Sequence, residues 1–374
     1  MSEMKVLIVC GTRPEGIKMA PLIHALRADS TIKTIVVNTA QHREMLDQVF
    51  KLFKIKTDYD FNLMKPGQTL EAITAEIIVN MRNVLIREKP DVVLVHGDTS
   101  TTFAAAYSAF CQKIRIGHVE AGLRTYNIYS PFPEEINRQL TTRIATYHFA
   151  PTERNREQLL AECVPAEKIA VVGNTVIDAL LYITQQDIKL PKDLFSVLHN
   201  GLQTILMTGH RRENLDSLKE ICEAVSEILD EFQNVQVVFP VHKNPKVREQ
   251  VYSAFKQHKR VHLFEPLDYE IFAHIMKKSH IIITDSGGIQ EEAPVFGKPV
   301  LVTRETTERP EGVEAGTLKI VGTSPETLIK ELRILLENQD TYNKMAQAQN
   351  PYGDGTTSQQ IIQLLKEKIN LSIK

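Results

Sequence analysis

Short, almost wholly apolar runs recur along this chain, and an amphipathic helical run follows nearly every one. In the first half, Lys5 to Cys10, Thr34 to Asn38, Val92 to His96, Ile114 to Val119, Tyr147 to Ala150 and Ile169 to Val172 read as strands. Helices are predicted from about Gly16 to Arg27, around Glu44 to Phe53, and over Leu70 to Glu88, Thr101 to Gln112 and Pro133 to Ala145. The pattern then restarts with strands over Thr204 to Thr208, Val235 to Pro240, Val261 to Phe264, Ile281 to Thr284 and Val300 to Thr303. Leu218 to Phe232, Thr327 to Asn338 and Ser358 to Ile369 read as helices of this half. A strand that is apolar on both faces must be covered on both, so the alternation predicts parallel sheets with helices on each side. Two such series predict two doubly wound, Rossmann-like α/β domains facing a cleft, with ligands outside the carboxyl ends of the strands. A boundary is expected near Gly173 or in the polar stretch Gln185 to Asn200, giving domains 1–172 and 173–355.

Composition narrows the partners. The formal net charge is -2, so no global field draws the chain to nucleic acid or an anionic membrane. An anionic ligand must be held by a local site. Cys10, Cys111, Cys163 and Cys222 form no C-x-x-C pair and read as reduced core thiols. The run Val6 to Cys10 is too short for a signal sequence, and no apolar run is long enough for a bilayer, so a cytoplasmic location is expected. The fingerprints G-x-G-x-x-G and G-x-x-x-x-G-K-[ST] are missing, as is metal-ligand spacing, so no cofactor and no metal are expected.

The informative residues lie just after strands. Gly11-Thr12-Arg13-Pro14-Glu15 follows the first strand and offers Arg13 to a phosphate or carboxylate, or to solvent. His96-Gly97-Asp98-Thr99 ends one strand and His118-Val119-Glu120 the next. If these strands are neighbours, Asp98 and Glu120 share a crevice, and like charges there push their pKa values apart. Read alone, Asp98 is equally an N-cap. Glu134 and Glu135 open a helix, where acids also simply complement the helix dipole. Gly209-His210-Arg211-Arg212 offers a histidine beside cations, suited to a negative leaving group or to a plain basic surface. Asp285-Ser286-Gly287-Gly288 precedes a helix and fits a diphosphate, with Glu292 one turn on for ribose hydroxyls and Arg304 and Arg309 adding charge.

Taken in order, Gly11-Thr12-Arg13-Pro14-Glu15, Gln41-His42-Arg43-Glu44, His96-Gly97-Asp98-Thr99, His118-Val119-Glu120-Ala121-Gly122, Pro133-Glu134-Glu135, Gly173-Asn174-Thr175, His210-Arg211-Arg212-Glu213-Asn214, Asp285-Ser286-Gly287-Gly288 and Thr307-Glu308-Arg309-Pro310-Glu311 make a long series. The chain closely resembles the bacterial non-hydrolysing UDP-N-acetylglucosamine 2-epimerases from Val6 to about Gly355. It departs at Gly16, where alanine is expected, and at Phe132, in place of tryptophan. The resemblance implies a GT-B-like fold whose last helix, 356–374, packs back on the first domain. It implies a homodimer that interconverts UDP-GlcNAc and UDP-ManNAc for surface-polysaccharide synthesis, without NAD or metal. Asp98, Glu120, Glu134 and His210 match the acid/base positions of the family. Arg13, Ser286, Gly287, Gly288, Glu292 and Arg309 match nucleotide contacts. Gln41, His42, Gln68, Arg211 and His242 match a site for a second UDP-GlcNAc that acts as an activator.

That reaction suits these residue types. The C2 proton of an N-acetylhexosamine is not next to a carbonyl carbon, so direct abstraction is very slow. Eliminating UDP from C1 while a carboxylate takes the C2 proton gives a glycal, and re-addition with a proton on the other face inverts C2. Competing readings are a hydrolysing relative that releases free N-acetylmannosamine, a retaining glycosyltransferase of the same fold, and a non-catalytic sugar-nucleotide sensor.

Overall fold

The structure is a computed structural model that describes residues 3–65, 67–211, 215–255 and 258–371. The chain divides into two units, Met1–Tyr182 with Tyr352–Lys374, and Ile183–Pro351.

Unit 1 begins β1 (Met4–Cys10), α1 (Arg13–Ala28), β2 (Ile32–Asn38), α2 (Arg43–Leu52), β3 (Tyr59–Asp60), α3 (Leu70–Glu88), β4 (Val92–His96) and α4 (Ser100–Cys111). It continues β5 (Arg115–Val119), α5 (Glu134–Ile144), β6 (Tyr147–Ala150), α6 (Glu153–Ala161), β7 (Ile169–Val171) and α7 (Thr175–Thr184), the last running across the unit boundary. All strands pair in parallel in the order β3-β2-β1-β4-β5-β6-β7. The order reverses between β1 and β4, so the loops after these strands diverge and leave room for a ligand. One face is sealed by Leu7, Val9, Val93, Val95 and Ile116 against Ile77 and Met81 of α3 and Ala104 to Ala106 of α4. The alanines let α4 lie close to the sheet. Gly117 serves the same economy on β5, because a Cβ there would stand 2.6 Å from Leu94 Cδ2.

Unit 2 contains α8 (Lys192–Leu198), β8 (Gln203–Thr208), α9 (Leu218–Glu231), β9 (Val235–Pro240), α10 (Pro245–Phe255), β10 (Val261–Phe264), α11 (Tyr269–Lys278) and β11 (Ile281–Thr284). It ends α12 (Gly287–Glu292), β12 (Val300–Val302), α13 (Pro310–Glu314), β13 (Leu318–Ile320), α14 (Pro325–Glu337) and α15 (Gln339–Ala346). Its parallel sheet has the order β10-β9-β8-β11-β12-β13, reversing between β8 and β11. Ile205, Val237, Phe239 and Ile283 pack here against Ile221, Val225 and Ile228 of α9. Both units are therefore Rossmann-like, as the strand–helix alternation predicts. The closing helix α16 (Thr357–Leu371) belongs to unit 1 and packs on α1, with Lys366 paired to Asp29. Asp178 of α7 accepts the Ser358 N–H at 2.7 Å and so secures the start of α16.

The structure adds elements to the expected set and corrects two expectations. The edge strands β3 and β13 are two and three residues long, too short for a periodic signal. The stretch Gln185 to Asn200, where a boundary is expected, holds α8. The helix expected from Pro133 starts at Glu134, with Pro133 in the cap position. Cys10 and Cys222 are buried thiols, but Cys111 and Cys163 are exposed because each closes the outer end of its segment. Among the described residues, no helix is long and apolar enough to cross a membrane.

Candidate functional site

The turn after β1 is held by Glu15, which is 1% exposed. Its carboxylate accepts the Gly11 and Thr12 N–H groups at 3.0 and 2.8 Å and the Thr12 hydroxyl at 2.8 Å. It also accepts the Thr99 and Thr102 hydroxyls at 2.8 and 3.1 Å, at the start of α4. Burial outweighs these donors and raises its pKa above the usual carboxylate range. One buried acid thus fixes the tips of β1 and β4 together. Gly11 is required by close approach, because a Cβ would lie 2.1 Å from Thr101 Oγ1. Gly16 has a similar reason: a Cβ there would lie 2.4 Å from Leu46 Cδ1. Arg13 is exposed at the first residue of α1.

The expected pairing of β4 with β5 is present, His96 opposite Val119. Asp98 is not the N-cap of α4: Thr99 takes that position and accepts the Thr102 N–H at 3.1 Å. That leaves Asp98 beside Glu120. Glu120 has φ 61°, a left-handed conformation that costs a side-chain-bearing residue roughly 1–2 kcal/mol. Its carboxylate pairs with Lys18 of α1, accepts the Asn174 amide at 3.1 Å, and has His96 Nε2 3.6 Å away. Burial works against its ionisation, but Lys18 chiefly, with His96 and Asn174, holds it well below the usual carboxylate range. Asp98 moves the other way. Burial raises its pKa, Arg138 opposes the rise, and the Glu120 charge adds to it. Burial keeps the His96 imidazole neutral, with its pKa lowered to about 4.

Helix α5 supplies the remaining groups of this unit. Glu134, its first residue, is half-buried. One turn in, Arg138 donates to Asp98 Oδ2 at 2.5 Å and to Glu135 Oε2 at 3.1 Å. Asn137 donates to the Asp98 carbonyl at 2.9 Å.

In unit 2, Asp285 at the end of β11 accepts the His210 and Arg211 N–H groups, each at 2.8 Å. His210 Nδ1 lies 3.2 Å from Asp285 Oδ1, and its ring is stacked on His242 with centroids 5.7 Å apart. Burial disfavours the Asp285 charge, yet these donors hold its pKa below the ordinary value. Next to it, Gly287 faces Glu308 and Arg309, a Cβ there standing 3.8 Å from Glu308 Oε2 and 4.0 Å from Arg309 Nη2. Gly288 faces Ser286 Oγ and Glu292 Oε1, each at 4.0 Å. Arg211 and Arg304 approach Glu308 at 3.9 and 3.3 Å, while Arg309 pairs with Glu291. Three guanidinium groups therefore gather at one Ser-Gly-Gly turn. Arg212, Glu213 and Asn214 lie outside the described residues.

Of the positions matched to an activator site, Gln41, His42 and Gln68 belong to unit 1. Gln41 accepts the Thr101 hydroxyl at 2.9 Å, His42 is exposed before α2, and Gln68 donates to Glu76 at 3.5 Å. Arg211 and His242 belong to unit 2. Sequence reasoning assigned no role to Lys18, Arg138, Asn174 or Glu15. Lys18 had a signal: it is the lone charge in the otherwise apolar run Gly16 to Ile23. Arg138 had none, since only the fold brings α5 under the tip of β4.

Comparison with known proteins supplies the family. A family model for UDP-N-acetylglucosamine 2-epimerase matches residues 24–366. The chain is 52% identical over 370 residues to the Salmonella typhimurium UDP-N-acetylglucosamine 2-epimerase, covering 97% of this chain and 98% of that one. It is 52% identical over 366 residues to the Bacillus subtilis enzyme of the same name, covering 98% and 96%. The crystal structure of the Neisseria meningitidis UDP-GlcNAc 2-epimerase bound to UDP-GlcNAc superposes with a TM-score of 0.91 at 50% identity, covering 97% of this chain and 100% of that one. With two Rossmann-like units and this similarity along nearly its whole length, the chain belongs to the UDP-N-acetylglucosamine 2-epimerase family.

Proposed function

We propose that this protein interconverts UDP-N-acetylglucosamine and UDP-N-acetylmannosamine by eliminating UDP to a 2-acetamidoglucal and adding it back, without hydrolysis. The observation that carries the reading is the carboxylate pair at the tips of β4 and β5, with Asp98 pushed up and Glu120 pushed down. Opposite shifts of this kind separate a carboxylate that ionises readily from one that holds its proton to higher pH. Removing a proton from one face of C2 and returning one to the other needs both states. Such acid/base groups each contribute about 10²–10⁴-fold. Glu134 is the third acid of the set.

Unit 2 holds the nucleotide in this proposal. Gly287 and Gly288 offer backbone N–H groups to the diphosphate and Ser286 its hydroxyl, with Arg211, Arg304 and Arg309 around them, and Arg13 is a further nucleotide contact. The closeness of these arginines to a Ser-Gly-Gly turn supports that role. Glu292 takes the ribose. His210, oriented by Asp285, stabilises charge on the departing diphosphate. Holding the released UDP keeps re-addition faster than escape.

The protein acts as a homodimer in the cytoplasm, its product feeds surface-polysaccharide synthesis, and a second UDP-GlcNAc binds Gln41, His42, Gln68, Arg211 and His242 as an activator. The dimer is supported by exposed apolar side chains on three neighbouring helices: Val79 and Ile86 of α3, Tyr107 and Phe110 of α4, and Leu140 of α5. The test of the reaction is the product itself. Proton and phosphorus NMR of UDP-GlcNAc incubated with the purified protein will show UDP-ManNAc at equilibrium with substrate. Free N-acetylmannosamine with stoichiometric UDP would instead establish the hydrolysing reaction, and an unchanged spectrum would refute both.

A further inference from the structure

Arg138 is shared by two carboxylates of unequal duty. Its side chain is 6% exposed, Asp98 on one side is 26% exposed, and Glu135 on the other is fully buried. Beyond Arg138, Glu135 accepts the Thr125 N–H at 3.0 Å, the Tyr126 N–H at 3.1 Å and the Gln139 amide at 2.8 Å. The backbone it clasps opens the segment between β5 and α5, where Tyr126, Ile128, Tyr129 and Phe132 are all exposed. An unbroken hydrogen-bonded chain thus runs from the Thr125–Tyr126 backbone through Glu135 and Arg138 to Asp98.

We propose that Arg138 and Glu135 are positioning residues that set the proton affinity of Asp98 according to how the segment after Thr125 is seated. The physical reason is competition for one cation. While the Thr125, Tyr126 and Gln139 donors satisfy Glu135, its charge is already compensated and the Arg138 guanidinium is available to Asp98. If the segment lifts, Glu135 loses two donors and draws Arg138 more strongly, and Asp98 then retains its proton to higher pH. Burial works against ionisation of Glu135, and the side-chain and backbone donors hold its pKa below the ordinary value. The other groups that face Asp98 are Glu120 from the tip of β5, Lys18 from α1 and Asn137 from α5. None of these reaches the segment after Thr125 in the way Glu135 does. The importance of this device for turnover rests on the acid/base role proposed for Asp98, but the device itself does not.

The two ends of the relay must act with opposite sign, and that is the test. In full-length protein labelled with carboxyl-¹³C aspartate, the Asp98 signal is assigned by its loss in Asp98→Asn and titrated by NMR. Arg138→Gln removes the cation and should raise the Asp98 midpoint by about 1–3 pH units, the range for losing an adjacent opposite charge. Glu135→Gln removes the competing charge and should lower it. Arg138→Lys keeps the charge but not the fork that reaches two carboxylates, so its midpoint should fall between wild type and Arg138→Gln. A thermal melt confirms that each variant is folded, and the lysine variant alone suffices if the glutamine variants are not. Shifts of the same sign in Arg138→Gln and Glu135→Gln, or an Arg138→Lys midpoint equal to wild type, would overturn the proposal. Because the readout needs no substrate, failure of the titration and failure of the epimerase reading are separate results.

Discussion

Lys18 is the residue whose removal should change the pH behaviour of the proposed site most. Its ammonium is the principal cation against Glu120, and the two side chains are 20% and 17% exposed. Two unit charges about 4 Å apart at an effective dielectric constant of about 20 interact by about 4 kcal/mol. At 1.36 kcal/mol per pH unit that is about 3 units of pKa. Lys18→Met keeps an unbranched side chain of similar length and deletes the charge. The sign is fixed: Glu120 is buried and held ionised mainly by this cation, so its pKa must rise when the cation goes. Glu120 can take a C2 proton only when ionised. The acid limb of kcat/KM should therefore move upward by roughly 3 pH units, from about 2 to about 5, so the variant should lose activity between pH 6 and pH 4, where the wild type keeps it. Lys18→Arg should restore most of the wild-type limb. The assay is the rate of UDP-GlcNAc epimerisation across pH 4 to 8. A uniform loss at every pH, with the acid limb where the wild type has it, would refute the argument that Lys18 governs the charge on Glu120.

Three further outcomes are expected. His96, His118 and His148 are 3%, 0% and 1% exposed, and burial lowers their pKa to about 4, 3 and 4. Each takes up a proton on unfolding below its ordinary pKa of about 6.5, so stability falls with pH by about 2 kcal/mol apiece between pH 6.5 and 5. The raised carboxyls of Glu15, Asp98 and Asp178 work in the opposite sense as they gain protons in the folded state. Urea midpoints should still be lower at pH 5 than at pH 7, and equal midpoints would contradict the assignment. Gly122 and Gly316 both have positive φ, but a Cβ at Gly122 would stand 2.3 Å from the Asn155 carbonyl oxygen while Gly316 meets nothing within 4 Å. Gly316→Ala should cost about 1–2 kcal/mol, the conformational penalty alone, and Gly122→Ala about 1–3 kcal/mol more, read as the difference in Tm. Asp285→Asn should lower kcat at least about tenfold with the melt little changed, by loosening His210, since removing one oriented electrostatic group typically costs that much or more. Wild-type kcat in that variant would remove Asp285 from the account.

The strands of both sheets were legible because a strand buried on both faces must be apolar at every position. The run Ile281-Ile282-Ile283 admits few other readings, and the strand it belongs to is bounded as expected, Ile281–Thr284. Strand order was legible only as a class, since periodicity does not say that β4 lies between β1 and β5. The acids could be named from their places after strands, and their pairing then followed from adjacency. Their charge states could not, because these depend on Lys18 from α1, Asn174 from the turn before α7, and Arg138 from α5. Those three are separated by 120 and 36 positions in sequence and are brought to the same strand tips by the fold. Glu15 shows the same limit. Its sequence position suggests a helix-start acid, yet its buried carboxylate ties two strand tips together through five donors.

The central claim is that the C2–H bond breaks while UDP leaves, at the pair of acids beside β4 and β5. It is tested most directly by incubating the protein with UDP-GlcNAc in D₂O and following C2 by proton NMR. The account predicts that deuterium enters C2 of UDP-ManNAc and of the UDP-GlcNAc recovered at equilibrium, and that Glu120→Gln abolishes this with the fold intact. Epimerised product that keeps its original C2 hydrogen would contradict it.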